Sequence, residues 1–308
     1  MDAATRIAFT KGTETKVLPK DVGKLYGRAE MLAKLPKNVQ QWIVEKGAGD
    51  DPYIPFVVEP YCSFLAYEIV DVDAASAQLP ADYRIVPTSI FSSTDPRPTG
   101  IVAAFSVHTS VFWGIRVEYY VVAENTRTGL LSWIICDYES NTISYDPGQG
   151  FSGSSTSHAT VTTTYAGELV VDVAGEASGN HLAFTADLGA ATMEPLTERL
   201  WVEGNLSVDY GGRLIEEEST PFGLIFDPGE MARALRIPLD AVSLDANTFG
   251  GGTLASEPFE ACCFPYAQHF VTTSYPLPTP ITTREQLEAA VRDFNGRLPS
   301  PGAEATST

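Results

Sequence analysis

The run from Ile101 to Phe151, IVAAFSVHTSVFWGIRVEYYVVAENTRTGLLSWIICDYESNTISYDPGQGF, packs three strand-like segments around one short polar triplet, and the fold is read outward from it. With a period of two, Ile115, Val117, Tyr119 and Val121 fall on one face of the second segment, and Arg116, Glu118, Tyr120 and Val122 on the other. The first face is plain core. The second carries a guanidinium, a carboxylate and a phenol beside apolar residues. Ionisable groups in such company must be paired or shifted in pKa, which is the ordinary physical setting of a catalytic acid or base.

Outside this run the chain reads as further strands rich in Val, Ile, Thr and Tyr, separated by Asn, Gly, Asp and Pro: 61–70, 84–92, 159–165, 168–174, 181–188, 198–206 and 213–218. Asn125 to Gly129 spells a hairpin loop. Helical spacing occupies 24–34 and 36–47 before the strands, and 284–294 after them, where Thr283 and Gln286 form a capping box and Asn295-Gly296 a stop. Shorter helices are expected at 228–235 and 239–242. The pattern predicts an α+β, mainly antiparallel fold, with one large curved sheet or barrel-like cone enclosing a cavity and helices at both ends. Three segments follow: a basic helical arm over 1–50, a β domain over 51–282, and a C-terminal helix with a frayed tail over 283–308.

One family shares this order of motifs. The strand Tyr61 to Glu68, the helix Ala74 to Pro80 ending in Leu-Pro, the Tyr-rich strand of Glu118 and the Gly-rich loop from Pro147 to Gly153 together resemble the acetoacetate decarboxylase-like superfamily over 55–275. The resemblance implies a small-molecule lyase, with Glu118 matching a glutamate of the family's pocket. The chain departs from the family where that chemistry is done. The turn that carries the Schiff-base lysine corresponds here to Gly150-Phe151-Ser152-Gly153-Ser154-Ser155, and no lysine follows Lys46. Amine catalysis from the usual position is excluded, so carboxylate acid/base chemistry on an oxo-acid, enol or polyketide-like molecule is the expected activity. A binder without catalysis on the same fold, and a metal-assisted hydrolase, remain open alternatives.

Charge narrows the partners. The net charge of −19 disfavours nucleic acid and anionic membrane surfaces, which reward clusters of Lys and Arg. A small-molecule substrate is the expected partner. The first fifty residues hold nine basic and six acidic groups, hence +3, against −22 for the remainder. Such an arm suits docking on an acidic body, and a homo-oligomer is expected. Four scattered cysteines give no disulfide framework and no CxxC pair, and no apolar leader or spanning run is read, so the chain is placed in the cytoplasm.

The remaining candidates are weighed by chemistry. Glu118 is the acid or base, and Arg116 and His108 orient substrate or stabilise charge. Tyr120, Trp113, Phe151, His158 and Glu203 are the expected substrate-binding residues. Gly148 to Gly153 matches GxGxxG, but the residues after it are strand-like, whereas a dinucleotide site must open a helix. No cofactor is expected. No HxH, HExxH or HxxxH spacing occurs, so no metal is assigned, and any metal site would need long-range assembly. Extended backbone sends Cys262 and Cys263 to opposite faces, which favours apolar filling over Cys-His catalysis with His269.

Overall fold

In the computed structural model, residues 31–47, 53–109, 113–215, 221–273 and 281–297 are described. The chain enters through helix α1 (Lys37–Gly47), then β1 (Tyr53–Val58), β2 (Cys62–Glu68), helix α2 (Val72–Ser76), β3 (Tyr83–Ile85) and β4 (Pro87–Thr88). Three long strands follow, β5 (Arg97–Thr109), β6 (Trp113–Asn125) and β7 (Leu131–Ser140). Next come the β8 (Ser144–Asp146) and β9 (Gly150–Ser152) hairpin, then β10 (Thr156–Thr163), β11 (Glu168–Gly175), β12 (His181–Asp187), β13 (Thr192–Pro195) and β14 (Val208–Tyr210). The chain closes with β15 (Leu224–Phe226), β16 (Arg233–Arg236), β17 (Val242–Asn247), β18 (Glu260–Phe264), β19 (Gln268–Thr273) and helix α3 (Arg284–Arg297).

Among the described residues, thirteen strands form one large sheet, antiparallel except where β14 runs parallel to β7. Its frame is β5. One edge of β5 pairs with β6 along nearly its whole length, and the other pairs with β2 and then β1. β1 and β2 therefore act as one strand broken at Tyr61, whose φ of 71° bends the backbone there. The order runs outward to β13 at one end and β15 at the other, so among the described residues the sheet does not close into a barrel. A second, four-stranded antiparallel sheet, β10-β11-β12-β17, covers one face.

Alternation sorts the side chains of β5 and β6 into two cores. Val102, Ala104, Val117, Tyr119 and Val121 pack with Leu169, Val171, Val173, Leu182 and Phe184 of the smaller sheet. Ile101, Ala103, Val107, Val122 and Trp133 pack on the opposite side with Phe64, Trp201 and Phe264. The two faces read from the sequence of β6 are thus the two faces of the sheet.

Local chemistry fixes the joints. The β6–β7 loop is closed by Gly129 N–H donating to the Asn125 carbonyl at 2.7 Å, with Gly129 at φ 74°, while the Asn125 side chain accepts from Arg127 and Thr128 N–H. In α3 the Gln286 side chain accepts from Thr283 N–H at 3.2 Å, and Thr283 Oγ1 accepts from Gln286 N–H at 3.3 Å. Buried Glu260 accepts from Ile90 and Phe91 N–H at 2.6 and 3.2 Å and from Arg236 at 3.0 Å, which gives its charge a partner.

Three expected elements differ. The strand expected over 198–206 is a π-helical turn, Arg199–Glu203, followed by a 3₁₀ turn, Gly204–Leu206. Leu200, Trp201 and Val202 are all buried, and three consecutive buried side chains do not suit a strand buried on one face alone. The helix expected over 228–235 is a single 3₁₀ turn, Pro228–Met231, capped by Asp227, after which the chain pairs as β16. The strand expected over 213–218 opens instead as a 3₁₀ turn, Gly212–Leu214, and its residues 216–218 lie outside the described residues, as do most of the helix expected over 24–34 and most of the frayed tail.

Candidate active site

The charged face of β6 turns inward. Glu118 lies opposite Ala103 of β5, in line with Ile101, Phe105 and Val107, and its side chain is 9% exposed. Arg116, two residues earlier on the same face, is 12% exposed. Burial favours a neutral guanidinium, but the Glu118 carboxylate together with the Tyr138 and Tyr210 phenols outweighs it and leaves Arg116 more firmly protonated than usual. Its Nε and Nη2 lie 2.8 and 2.7 Å from Glu118 Oε1, and Nη1 donates to Ser144 Oγ at 2.7 Å. The Tyr120 hydroxyl donates to Glu118 Oε2. Both carboxylate oxygens are thus engaged, each from a different side.

A β-bulge brings in the next residue. Tyr119 pairs with Asp137 but Tyr120 pairs with Ile135, so Cys136 is the extra residue on β7. The bulge reverses the alternation of β7. Trp133 and Ile135 face the Glu118 side before it, and Tyr138, directly opposite Glu118, faces that side after it. The Arg116 guanidinium stacks 4.5 Å from the centre of the Tyr138 ring. The Tyr138 hydroxyl donates to Asp146 Oδ2 at 2.9 Å, and Gln149 N–H donates to Asp146 Oδ1 at 2.7 Å. Burial raises the Asp146 carboxyl above its usual range, against the pull of Gln149, Tyr138 and two arginines. Burial also raises the phenols of Tyr120, Tyr138 and Tyr210 well into their neutral form.

The result is a buried chain of groups, Tyr120–Glu118–Arg116–Tyr138–Asp146, with Ser144 at its side. It combines a carboxylate held by a cation, neutral phenols able to donate, and a second carboxyl that keeps its proton to higher pH. That combination places a proton acceptor beside hydrogen-bond donors in one buried cluster.

The Gly-rich loop has a structural reading. A Cβ on Gly148 would meet the backbone of Leu214 at 2.7 Å and of Ile215 at 2.8 Å, and Gly150 sits at φ 81° where a Cβ would strike Gln40 Oε1. Gln40, on α1, accepts from Phe151 N–H at 2.7 Å, and Lys37 Nζ donates to the Gly148 carbonyl. The glycines let α1 and the 212–215 turn close on the β8–β9 hairpin.

The other expected site residues are dispersed. His108 occupies an even position of β5, in line with Val102 and Ala104, and therefore faces away from Glu118; its Nε2 lies 3.6 Å from Glu59. Glu203 ends the π turn, where it accepts from Leu131 N–H at 2.6 Å, away from the β6 cluster. His158 stands on the smaller sheet beside Asp172. Phe151 borders the cluster through its ring contact with Tyr145, 5.0 Å between centres. Trp113 opens β6, with its side chain outside the described residues. Tyr138, Tyr210, Ser144 and Asp146 join the cluster although the sequence reading did not choose them. Two concavities among the described residues flank α3, one against Asp227 to Gly229 and one against Leu130 and Glu203, and Glu118 lines neither. The cysteines give no nucleophile: Cys62, Cys136, Cys262 and Cys263 are buried thiols, raised by that burial, Cys136 and Cys263 to about 12.

Comparison with solved structures gives a likeness at this point. The chain is similar to acetoacetate decarboxylase from Legionella pneumophila. The two are 12% identical, with a TM-score of 0.43, over 72% of this chain and 85% of that one. No family model matches the chain, and no curated protein sequence matches it. Among the described residues, no helix is long and apolar enough to cross a membrane.

Proposed function

We propose that the chain is a small-molecule lyase that moves protons with carboxylates and uses no Schiff base. Glu118 takes a proton from a carbon alpha to a carbonyl of a small oxo-acid or enol. Tyr120 donates a hydrogen bond toward the developing oxyanion. As the carbon–carbon double bond forms, the bond from the beta carbon to its hydroxyl breaks, and Glu118 passes its proton to the departing oxygen, which leaves as water. Arg116 is the positioning residue: its Nε and Nη2 hold Glu118 Oε1 in place. The observation that carries this reading is a nearly buried carboxylate with an arginine on one oxygen and a neutral phenol on the other. A substrate carboxylate oxygen would take the place of Ser144 Oγ as acceptor from Arg116, and the Tyr120 hydroxyl would turn from Glu118 to the reacting carbonyl.

The test is turnover of a panel of 3-oxo acids and enols, followed by NMR, with and without borohydride. Product formation that survives borohydride and is lost in Glu118→Gln supports the reading. Inactivation by borohydride in the presence of substrate would instead implicate a lysine, with Lys37 beside the β8–β9 hairpin the first to examine.

A second reading has its own observation. Both Glu118 oxygens are satisfied within the chain, and the described concavities lie elsewhere. On that reading the cluster is structural and the chain binds a small molecule without converting it. Loss of stability in Glu118→Gln with no turnover in any variant is its signature.

A further inference from the structure

The outer face of the smaller sheet gathers two histidines and an aspartate that the β6 cluster does not use. On β11, Leu169, Val171 and Val173 point into the core, so Asp172 and Ala174 point outward. Ala174 pairs with His181 on β12 and with His158 on β10, so three outward side chains from three strands stand in one row. The middle one is a methyl, which leaves room above it. Asp172 fills the next position along β11. A register shift between Thr156 and His158 sets His158 in this row, since the extra residue, Ser157, reverses the parity of β10.

Both imidazoles lean over Ala174 toward the aspartate. His158 Nε2 lies 2.7 Å and His181 Nε2 lies 2.9 Å from the same oxygen, Asp172 Oδ1, and the three ligand atoms all lie within 4.8 Å of one another. The rings meet at 79° with centres 6.1 Å apart, an edge-to-face arrangement that keeps both Nε2 atoms on one side. A tetrahedral zinc with ligands at about 2.0–2.1 Å needs ligand atoms about 3.3 Å apart, so each histidine–aspartate distance would open by roughly half an ångström, with the side chains adjusting around the ion. Two imidazole nitrogens and one carboxylate are a donor set that suits borderline divalent ions, and the exposed side leaves room for water to complete the shell. The chain's net charge of −19 adds general attraction for cations.

We propose that His158, His181 and Asp172 form a surface site for a divalent transition-metal ion of the Zn²⁺ type. The ion would clasp β10, β11 and β12 across the outer face. The site is independent of the proton-transfer reading of Glu118, since it stands on a different sheet.

The experiment is calorimetric titration of the full chain with Zn²⁺ after chelator treatment, repeated with Co²⁺ to read the coordination sphere from its visible spectrum. The expected result is one ion per chain, a rise in melting temperature on loading, and affinity at least about tenfold weaker in each of His158→Ala, His181→Ala and Asp172→Asn. All three positions are solvent-facing, and circular dichroism confirms that each variant is folded. The proposal is overturned by absence of binding to the wild-type chain. It is equally overturned if the triple variant binds as tightly as wild type, because the ion would then be held by surface carboxylates elsewhere.

Discussion

Arg116 and Glu118 stand two residues apart on one strand, and the guanidinium places both Nε and Nη2 on a single carboxylate oxygen, at 2.8 and 2.7 Å, leaving the other oxygen to Tyr120. An ion pair this far from water is held by mutual compensation. Removing one partner strands the other. Arg116→Leu is therefore expected to destabilise the fold by about 3–5 kcal/mol, whereas the double change Arg116→Leu with Glu118→Leu recovers much of that loss. Urea unfolding of the two single variants and the double variant measures the coupling, and additive effects would show that the pair is not linked.

Asp146 makes stability depend on pH in a particular direction. Its folded pKa is raised above the usual 3.8, chiefly by burial. Between the unfolded and folded values the native state holds more protons than the unfolded chain. The stability contribution is greatest below the unfolded value and declines as pH rises through the folded one. Asp146→Asn carries no such proton. The wild-type minus variant difference in unfolding free energy should therefore fall with increasing pH above about 4, and a difference that rises over that range would refute the assignment.

The Gly-rich loop offers an internal comparison. Gly150 adopts φ 81° with Gln40 against it, while Gly153 has open space around the position of a Cβ. Gly150→Ala is expected to destabilise by about 1–3 kcal/mol. Gly153→Ala should stay within about 0.5 kcal/mol of wild type. Equal midpoints in denaturant for the two variants would remove the argument that Gly150 exists to admit α1.

Much of this architecture was legible because period-two alternation is a direct consequence of strand geometry. Ile115, Val117, Tyr119 and Val121 face one core and Tyr120 and Val122 the other, as the spacing requires. The same rule carried one strand back would have turned His108 away from Glu118, since it shares parity with Val102 and Ala104. What alternation could not supply was the bulge at Cys136. A single extra residue brings Tyr138 onto the Glu118 side, and nothing in Ile134 to Tyr138 announces it. Asp146 was hidden for a different reason. Asp before Pro-Gly reads as a turn residue, and it does accept the Gln149 N–H of that turn while its second oxygen serves Tyr138. The π turn at Arg199–Glu203 escaped because Trp and Val are good strand formers, and tertiary burial of Leu200, Trp201 and Val202 overrode that preference.

Glu260 tests whether buried carboxylates elsewhere in the chain are purely architectural. It bonds two backbone N–H groups of 90–91 as well as Arg236. Glu260→Ala leaves those groups unsatisfied and should lower stability by about 3 kcal/mol, with the rate per folded molecule unchanged. Denaturant midpoints alongside turnover separate the two effects, and a lower rate per folded molecule would place Glu260 in the chemistry.

The most direct measurement of the central claim is exchange of the alpha protons of a small 3-oxo acid with D₂O, followed by NMR and expressed per folded molecule. The wild-type chain should accelerate exchange, and Glu118→Gln, which keeps the side chain's shape, should lower it by about 10²–10⁴-fold. An exchange rate in Glu118→Gln equal to that of wild type would contradict a proton-transfer role for the inward carboxylate of β6.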